Sequence, residues 1–144
     1  MRFVHESIIQ APPEAVFAFH ERPDALAKLL PPWEHVEVVQ PPASLQPGNR
    51  VVLRMHLGPL KLTWEALHTR YEKNVLFQDE LVRGPFKKWL HTHSMLPAPG
   101  GCTLLRDEVE YELPLLFLPG LPLVLHRLRR MFEYRHQVTA AEVS

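Results

Sequence analysis

One cysteine, Cys102, stands alone in 144 residues. That excludes an internal disulfide and any cysteine-built zinc site. It is also the thiol usage of a reducing compartment, so a cytoplasmic location is expected. An excess of charge of either sign is missing too: 16 Lys and Arg offset 16 Asp and Glu. Nucleic-acid binders normally carry a basic surplus to meet phosphates, so no nucleic-acid partner is expected. Long hydrophobic runs are absent as well. The opening "MRFVHESIIQ" does not read as a signal peptide. The most apolar stretch, "LPLLFLPGLPLVL" at 113–125, is too short to span a bilayer and is broken by prolines, so stable membrane insertion is not expected.

Proline, by contrast, is plentiful, at 15 residues, and it gathers at 12–13, 31–32, 41–42, 97–99 and 114–122. These positions lie between patterned segments and punctuate them. The apolar fraction of 46% is that of an ordinary globular chain, and the length suits one domain over 1–144. "FVHESIIQ" alternates as a strand, and "PEAVFAFH" after Pro12-Pro13 and "RPDALAKLL" read as two short helices. Six period-two segments follow: "HVEVV", "NRVVLRMHL", "LKLTWEALHTRYE", "VLFQDELV", "KKWLHTHSML" and "CTLLRDEVEYEL". Short turns between them predict an antiparallel meander. From Pro122 to about Val138, Leu121, Val124, Leu125, Leu128, Met131 and Phe132 recur at three and four, which predicts an amphipathic helix. The expected fold class is α+β: a curved antiparallel sheet of about seven strands, two short helices, and a long C-terminal helix covering the apolar sheet face. A hollow between sheet and helix would be a natural ligand cavity.

The order of elements, with "APPEAVFAF", "RPDALAKLLPPW", "FQDELVRGPFKKWLHTH" and "DEVEYELP", resembles the START/SRPBCC superfamily, the helix-grip fold of birch-pollen-allergen-like proteins, and within it the bacterial ligand-binding or cyclase/dehydrase-like subgroup. The most specific part is the run through Phe77, Asp79, Gly84 to Phe86, Trp89, His91 and His93. The resemblance implies binding of lipids, sterols, polyketides or aromatic compounds between sheet and helix. Some members of the superfamily are cyclases or dehydrases. No catalytic motif is common to them, so no residue inherits a catalytic role.

Strand alternation places Trp89, His91, His93 and Met95 on one face, with Phe77 and Asp79 on the preceding strand and Asp107, Val109 and Tyr111 on the following one. A hairpin count sets Asp107 near His91. Four readings of His91-x-His93 follow: a self-satisfied structural cluster, the polar end of an apolar pocket, an acid–base group with Asp107, and a metal site needing a further ligand from Asp79 or Asp107. The pocket wall is preferred to the metal clamp, and no metal or cofactor is expected. The expected ligand contacts are Trp64, Phe77, Trp89, Met95, Val109, Leu128 and Phe132, with Asp79, His91, His93, Asp107 and Tyr111 fixing orientation. The lead function is binding or transport of a hydrophobic small molecule. The alternatives are a cyclase/dehydrase-type enzyme with His91, His93 and Asp107 as catalytic candidates, and a non-catalytic regulatory or partner-binding module. Met55 and Leu57 are expected at the far end of the cavity, and Trp33 as an anchor between short helix and sheet. The sequence leaves the oligomeric state open.

Overall fold

The computed structural model describes residues 1–144, apart from the side chain of Leu57. Strand β1 (Arg2–Ile9) is followed by α1 (Pro13–His20) and α2 (Ala25–Leu29). Then come β2 (Val36–Gln40), β3 (Arg50–Leu57), β4 (Leu60–Glu72), β5 (Leu76–Arg83), β6 (Lys88–Ala98), β7 (Cys102–Glu112) and α3 (Leu121–Val143). The seven strands form one sheet in the order β1-β7-β6-β5-β4-β3-β2, and every neighbouring pair is antiparallel. The expected α+β helix-grip architecture is therefore present.

Local chemistry explains the element ends. Pro13 occupies the first turn of α1, where its missing N–H and fixed φ cost nothing, and the Pro12 carbonyl accepts from Ala15 and Val16. The β4–β5 turn is closed by Asn74 at φ 65°, a left-handed conformation that asparagine tolerates. Strand β6 runs on through Pro97 and Ala98, which pair with Thr103 and Cys102 of β7, two residues past its expected end at Leu96. Pro97 is acceptable there because β5 pairs with β6 only as far as Ser94 on the other side, so the missing N–H breaks no ladder.

Helix α3 extends five residues past the expected end at Val138. Its buried residues Leu128, Phe132, His136 and Thr139 recur at four, four and three, a single stripe facing the sheet. At one end of the seam Phe3, Trp89, Val109, Tyr111, Leu113, Leu128 and Phe132 form an apolar cluster. At the other, Val16 and Phe17 of α1 pack with Ile9, Phe77, Met95 and Leu105. Along β6 and β7 the buried His91 and Asp107 lie between these two cores.

One local expectation changes. Trp33 is 38% exposed and is an anchor on α3, not on the sheet: it meets Tyr134 edge-on at 5.2 Å and lies under the Arg130 guanidinium at 4.4 Å. Arg127 of the same helix bonds Glu34 at 2.6 Å. Arg127 and Arg130 of α3 thus pin the α2–β2 connection. Met55 is half-buried on β3, while the side chain of Leu57 lies outside the described residues.

Candidate functional site

The β5–β6 register opposes Phe77 to His93 and Asp79 to His91, and the β6–β7 register opposes His91 to Val109 and His93 to Asp107. Asp107 thus stands two residues along from the position counted on the sequence. Its carboxylate nonetheless reaches both imidazoles. His91 Nε2–H donates to Asp107 Oδ1 at 2.8 Å, and His93 Nδ1 lies 3.0 Å from the same oxygen. On its other side His93 donates from Nε2 to Asp79 Oδ1 at 3.1 Å. The two imidazoles overlap with centroids 3.6 Å apart, and Phe77 stacks on His93 at 4.0 Å with planes 14° apart.

Five further residues that were not expected at the site enter it: His136, Ser7, His5, His68 and Arg135. His136 of α3 donates from Nε2 to Asp107 Oδ2 at 2.6 Å and accepts at Nδ1 from the Ser7 hydroxyl at 2.5 Å. His5 packs edge-on against His136 at 4.5 Å. His68, opposite Asp79 across β4 and β5, is buried, and neither ring nitrogen has a hydrogen-bond partner of good geometry, although the Gln78 backbone lies close enough to bias its charge. The Nε of Arg135, on α3, is likewise buried and unpartnered. A sequence signal did exist for His136: it stands four residues beyond Phe132 and eight beyond Leu128, in register with the apolar stripe.

The electrostatics follow from this packing. Burial alone would raise the Asp107 carboxyl, but hydrogen bonds from His136, His91 and His93 outweigh it and hold the group well below its usual range. Asp79 is lowered in the same way, burial being overcome by the His93 hydrogen bond and the charges of His91, His93 and His68. Burial also opposes charge on His93, yet contact with two carboxylates raises its pKa. His91 is lowered, by burial and then by the neighbouring His93. Burial likewise lowers His68 and Arg135. His93, whose pKa is raised, is held between two ionised carboxylates, with His91 and His68, whose pKa values are lowered, beside it.

The structure brings Asp79, His91, His93 and Asp107 together. Tyr111 instead lies in the apolar cluster, edge-on to Phe86 at 6.0 Å. Trp89, Met95, Val109, Leu128, Phe132 and Phe77 are all buried, and half-buried Trp64 meets Trp89 edge-on at 5.1 Å. Side-chain packing closes the seam around the cluster. Two open depressions of about 300 and 330 Å³ lie at the β1–β7–β6 end, both lined in part by Met1 and Glu112. The first is roofed by Leu115 and Leu118 of the 3-10 turn Leu115–Gly120. Around that turn Leu115 and Leu116 are each 83% exposed, and Leu123 is 63% exposed.

The family model described as polyketide cyclase / dehydrase and lipid transport matches residues 9–134. The chain belongs to this family. No curated protein matches it. Among solved structures it is similar to TTHA0849 from Thermus thermophilus, at 22% identity and TM-score 0.73, with 100% of both chains covered. It also resembles the Zhui aromatase/cyclase from Streptomyces sp. R1128, at 12% identity and TM-score 0.74, covering 99% of this chain and 93% of that one. A nucleoside-diphosphate sugar epimerase from Corynebacterium glutamicum matches at 26% identity and TM-score 0.74, over 96% of this chain but only 28% of that one. At these identities the likenesses establish the shared fold. Among the described residues no helix is long and apolar enough to cross a membrane.

Proposed function

We propose that the protein binds a hydrophobic small molecule bearing an oxygen function, of lipid, polyketide or aromatic type, in the seam between the sheet and α3. The observation that carries this reading is the pair of unpartnered groups beside the His/Asp cluster, His68 and the Nε of Arg135. A buried donor without an acceptor costs about 1–3 kcal/mol. A ligand carbonyl or hydroxyl oxygen accepting from these groups recovers that energy, and a pure hydrocarbon does not. Trp64, Phe86 and Trp89, which contact one another at centroid distances of 4.9–5.9 Å, offer flat apolar walls. Val109, Leu128 and Phe132 supply the rest of the apolar lining.

Loading requires the packed seam to open. The exposed leucines of the Leu115–Gly120 turn and the first turn of α3 form the lip at which a greasy ligand is received. The family description, which includes lipid transport, supports this reading. Titration with anilinonaphthalene sulfonate tests it, alongside solvent extraction and mass spectrometry of the purified protein. Saturable fluorescence reversed by a fatty acid or a polycyclic phenol is expected. No extractable compound together with no saturable probe binding would falsify it.

A second reading rests on a separate observation, the placement of His93 between two carboxylates. Such an imidazole can give and take a proton near neutral pH, as a cyclase or dehydrase needs at an acidic C–H. With a polyketide substrate, His93→Gln would abolish turnover while leaving binding within a few fold. Parallel loss of binding and turnover assigns His93 to ligand contact alone.

A further inference from the structure

We infer that Asp79, His91 and His93 form a site for one divalent metal ion of the zinc class, with Asp107 as the carboxylate that orients both imidazoles. One nitrogen of each histidine and one oxygen of Asp79 lie within 4.8 Å of one another. His93 Nε2 is 3.1 Å and His91 Nδ1 3.9 Å from Asp79 Oδ1. An ion bound at about 2.0–2.1 Å with tetrahedral angles sets its donor atoms about 3.3–3.4 Å apart. The two N···O separations bracket that value and all three donor atoms lie within 4.8 Å of one another, so rotation of the two imidazoles toward Asp79 admits the ion.

The outer nitrogens make the stronger case. Ligating histidines typically donate their other N–H to a carboxylate, which fixes the tautomer and aims the lone pair at the metal. Here His91 Nε2–H donates to Asp107 Oδ1, and the outer nitrogen of His93 lies 3.0 Å from that same oxygen. With its Nε2 proton so engaged, the Nδ1 of His91 is a lone pair. It faces an ionised oxygen of Asp79 with no donor between them. Two acceptors facing each other repel, and a cation between them removes the repulsion. In the structure as it stands only the proton on His93 does part of that work.

Asp107 is in turn held by His136, itself bonded to Ser7, so the orienting carboxylate is fixed from a second element. Two imidazoles and one carboxylate are a borderline N/O set, suited to zinc and not to magnesium or calcium. Three protein ligands leave a fourth position open. His68 of β4, whose buried ring nitrogens have no well-formed hydrogen bond, is the cross-strand neighbour of Asp79. The sequence supplied two imidazoles on one face but left the third ligand open between Asp79 and Asp107. The structure assigns Asp79 to the inner position and Asp107 to the outer one.

The test uses the full chain, stripped with a chelator and then equilibrated with Zn2+ or Co2+. One equivalent of Zn2+ retained through gel filtration is expected, and Co2+ should give the intense visible absorption of a tetrahedral site. Asp79→Asn, which keeps the side-chain shape, is expected to weaken Zn2+ binding by more than the roughly 10–100-fold typical of losing an outer-shell partner. The surface variant His126→Ala should bind as the parent does. The inference is overturned if the parent chain retains no metal and gives only the faint Co2+ spectrum of the aqueous ion. It is equally overturned if a folded Asp79→Asn protein, judged by circular dichroism, binds Zn2+ like the parent. None of these readouts depends on apolar ligand binding, so the two proposals fail separately.

Discussion

Asp107 is the residue at which three elements meet. Its two oxygens accept from His91 on β6 and His136 on α3 and lie against His93, all within 3.0 Å. Asparagine at 107 keeps the shape but removes the charge and turns one acceptor into a donor facing an N–H. Breaking a buried ionic contact of this kind typically costs about 3–5 kcal/mol. Asp107→Asn is expected to lose stability in that range, read as a shift in the urea midpoint at constant slope. A loss below about 1 kcal/mol would mean that the cluster is not assembled in solution. Ser7→Ala removes only one donor to His136, and its expected cost is about 1 kcal/mol.

At the scale of elements, α3 combines a buried stripe with an exposed lip. Phe132 has no exposure and packs on Phe3 at 5.5 Å and edge-on to His91 at 5.2 Å. Phe132→Ala leaves a cavity against both the apolar core and the polar cluster, and a loss of about 3–5 kcal/mol is expected in chemical denaturation. The double change Leu115→Ser, Leu116→Ser should behave oppositely. Both side chains are 83% exposed, so stability is expected to stay within about 0.5 kcal/mol. Probe uptake measured by stopped-flow fluorescence should nevertheless slow several-fold if these leucines receive the ligand. Unchanged uptake kinetics in the double variant would remove the lip from the loading route.

For the whole molecule, the buried histidines govern how stability responds to pH. His20 donates from Nδ1 to the Val16 carbonyl and is lowered to about 4, chiefly by burial. Between that value and 6.5 the unfolded chain binds a proton that the fold excludes, so stability rises with pH there and falls on acidification. The limit for this one group is about 3 kcal/mol, from the difference between the two pKa values. His68, His91 and His5 are lowered as well and add to the same slope. His93 has the opposite sign: its raised pKa contributes stability that is complete below 6.5 and is lost as pH climbs through the folded value. The lowered Asp79 and Asp107 contribute above 3.8 and lose that contribution only as pH falls further, through their folded values. Urea titrations from about pH 7 to about pH 4.5 should therefore show falling stability, and His20→Gln should show a shallower fall. An equal slope in parent and variant would remove His20 from this account.

What the sequence determined by itself was the alternation and the punctuation. Period two in "KKWLHTHSML" and "CTLLRDEVEYEL" placed His91, His93 and Asp107 inside, because a strand offers only two faces. Prolines marked where elements stop, and the three-and-four spacing found α3. Tertiary structure decided which inward groups touch. Register set Asp107 opposite His93 instead of His91, and a sheet-wide curve carried His136 and Ser7, 129 positions apart, into one hydrogen bond. It also closed the seam and left the ring nitrogens of His68 and the Nε of Arg135 without well-formed hydrogen bonds. Periodicity fixes a side chain's face, whereas contact depends on register, twist and the docking angle of a helix, which are settled only when the whole core packs at once.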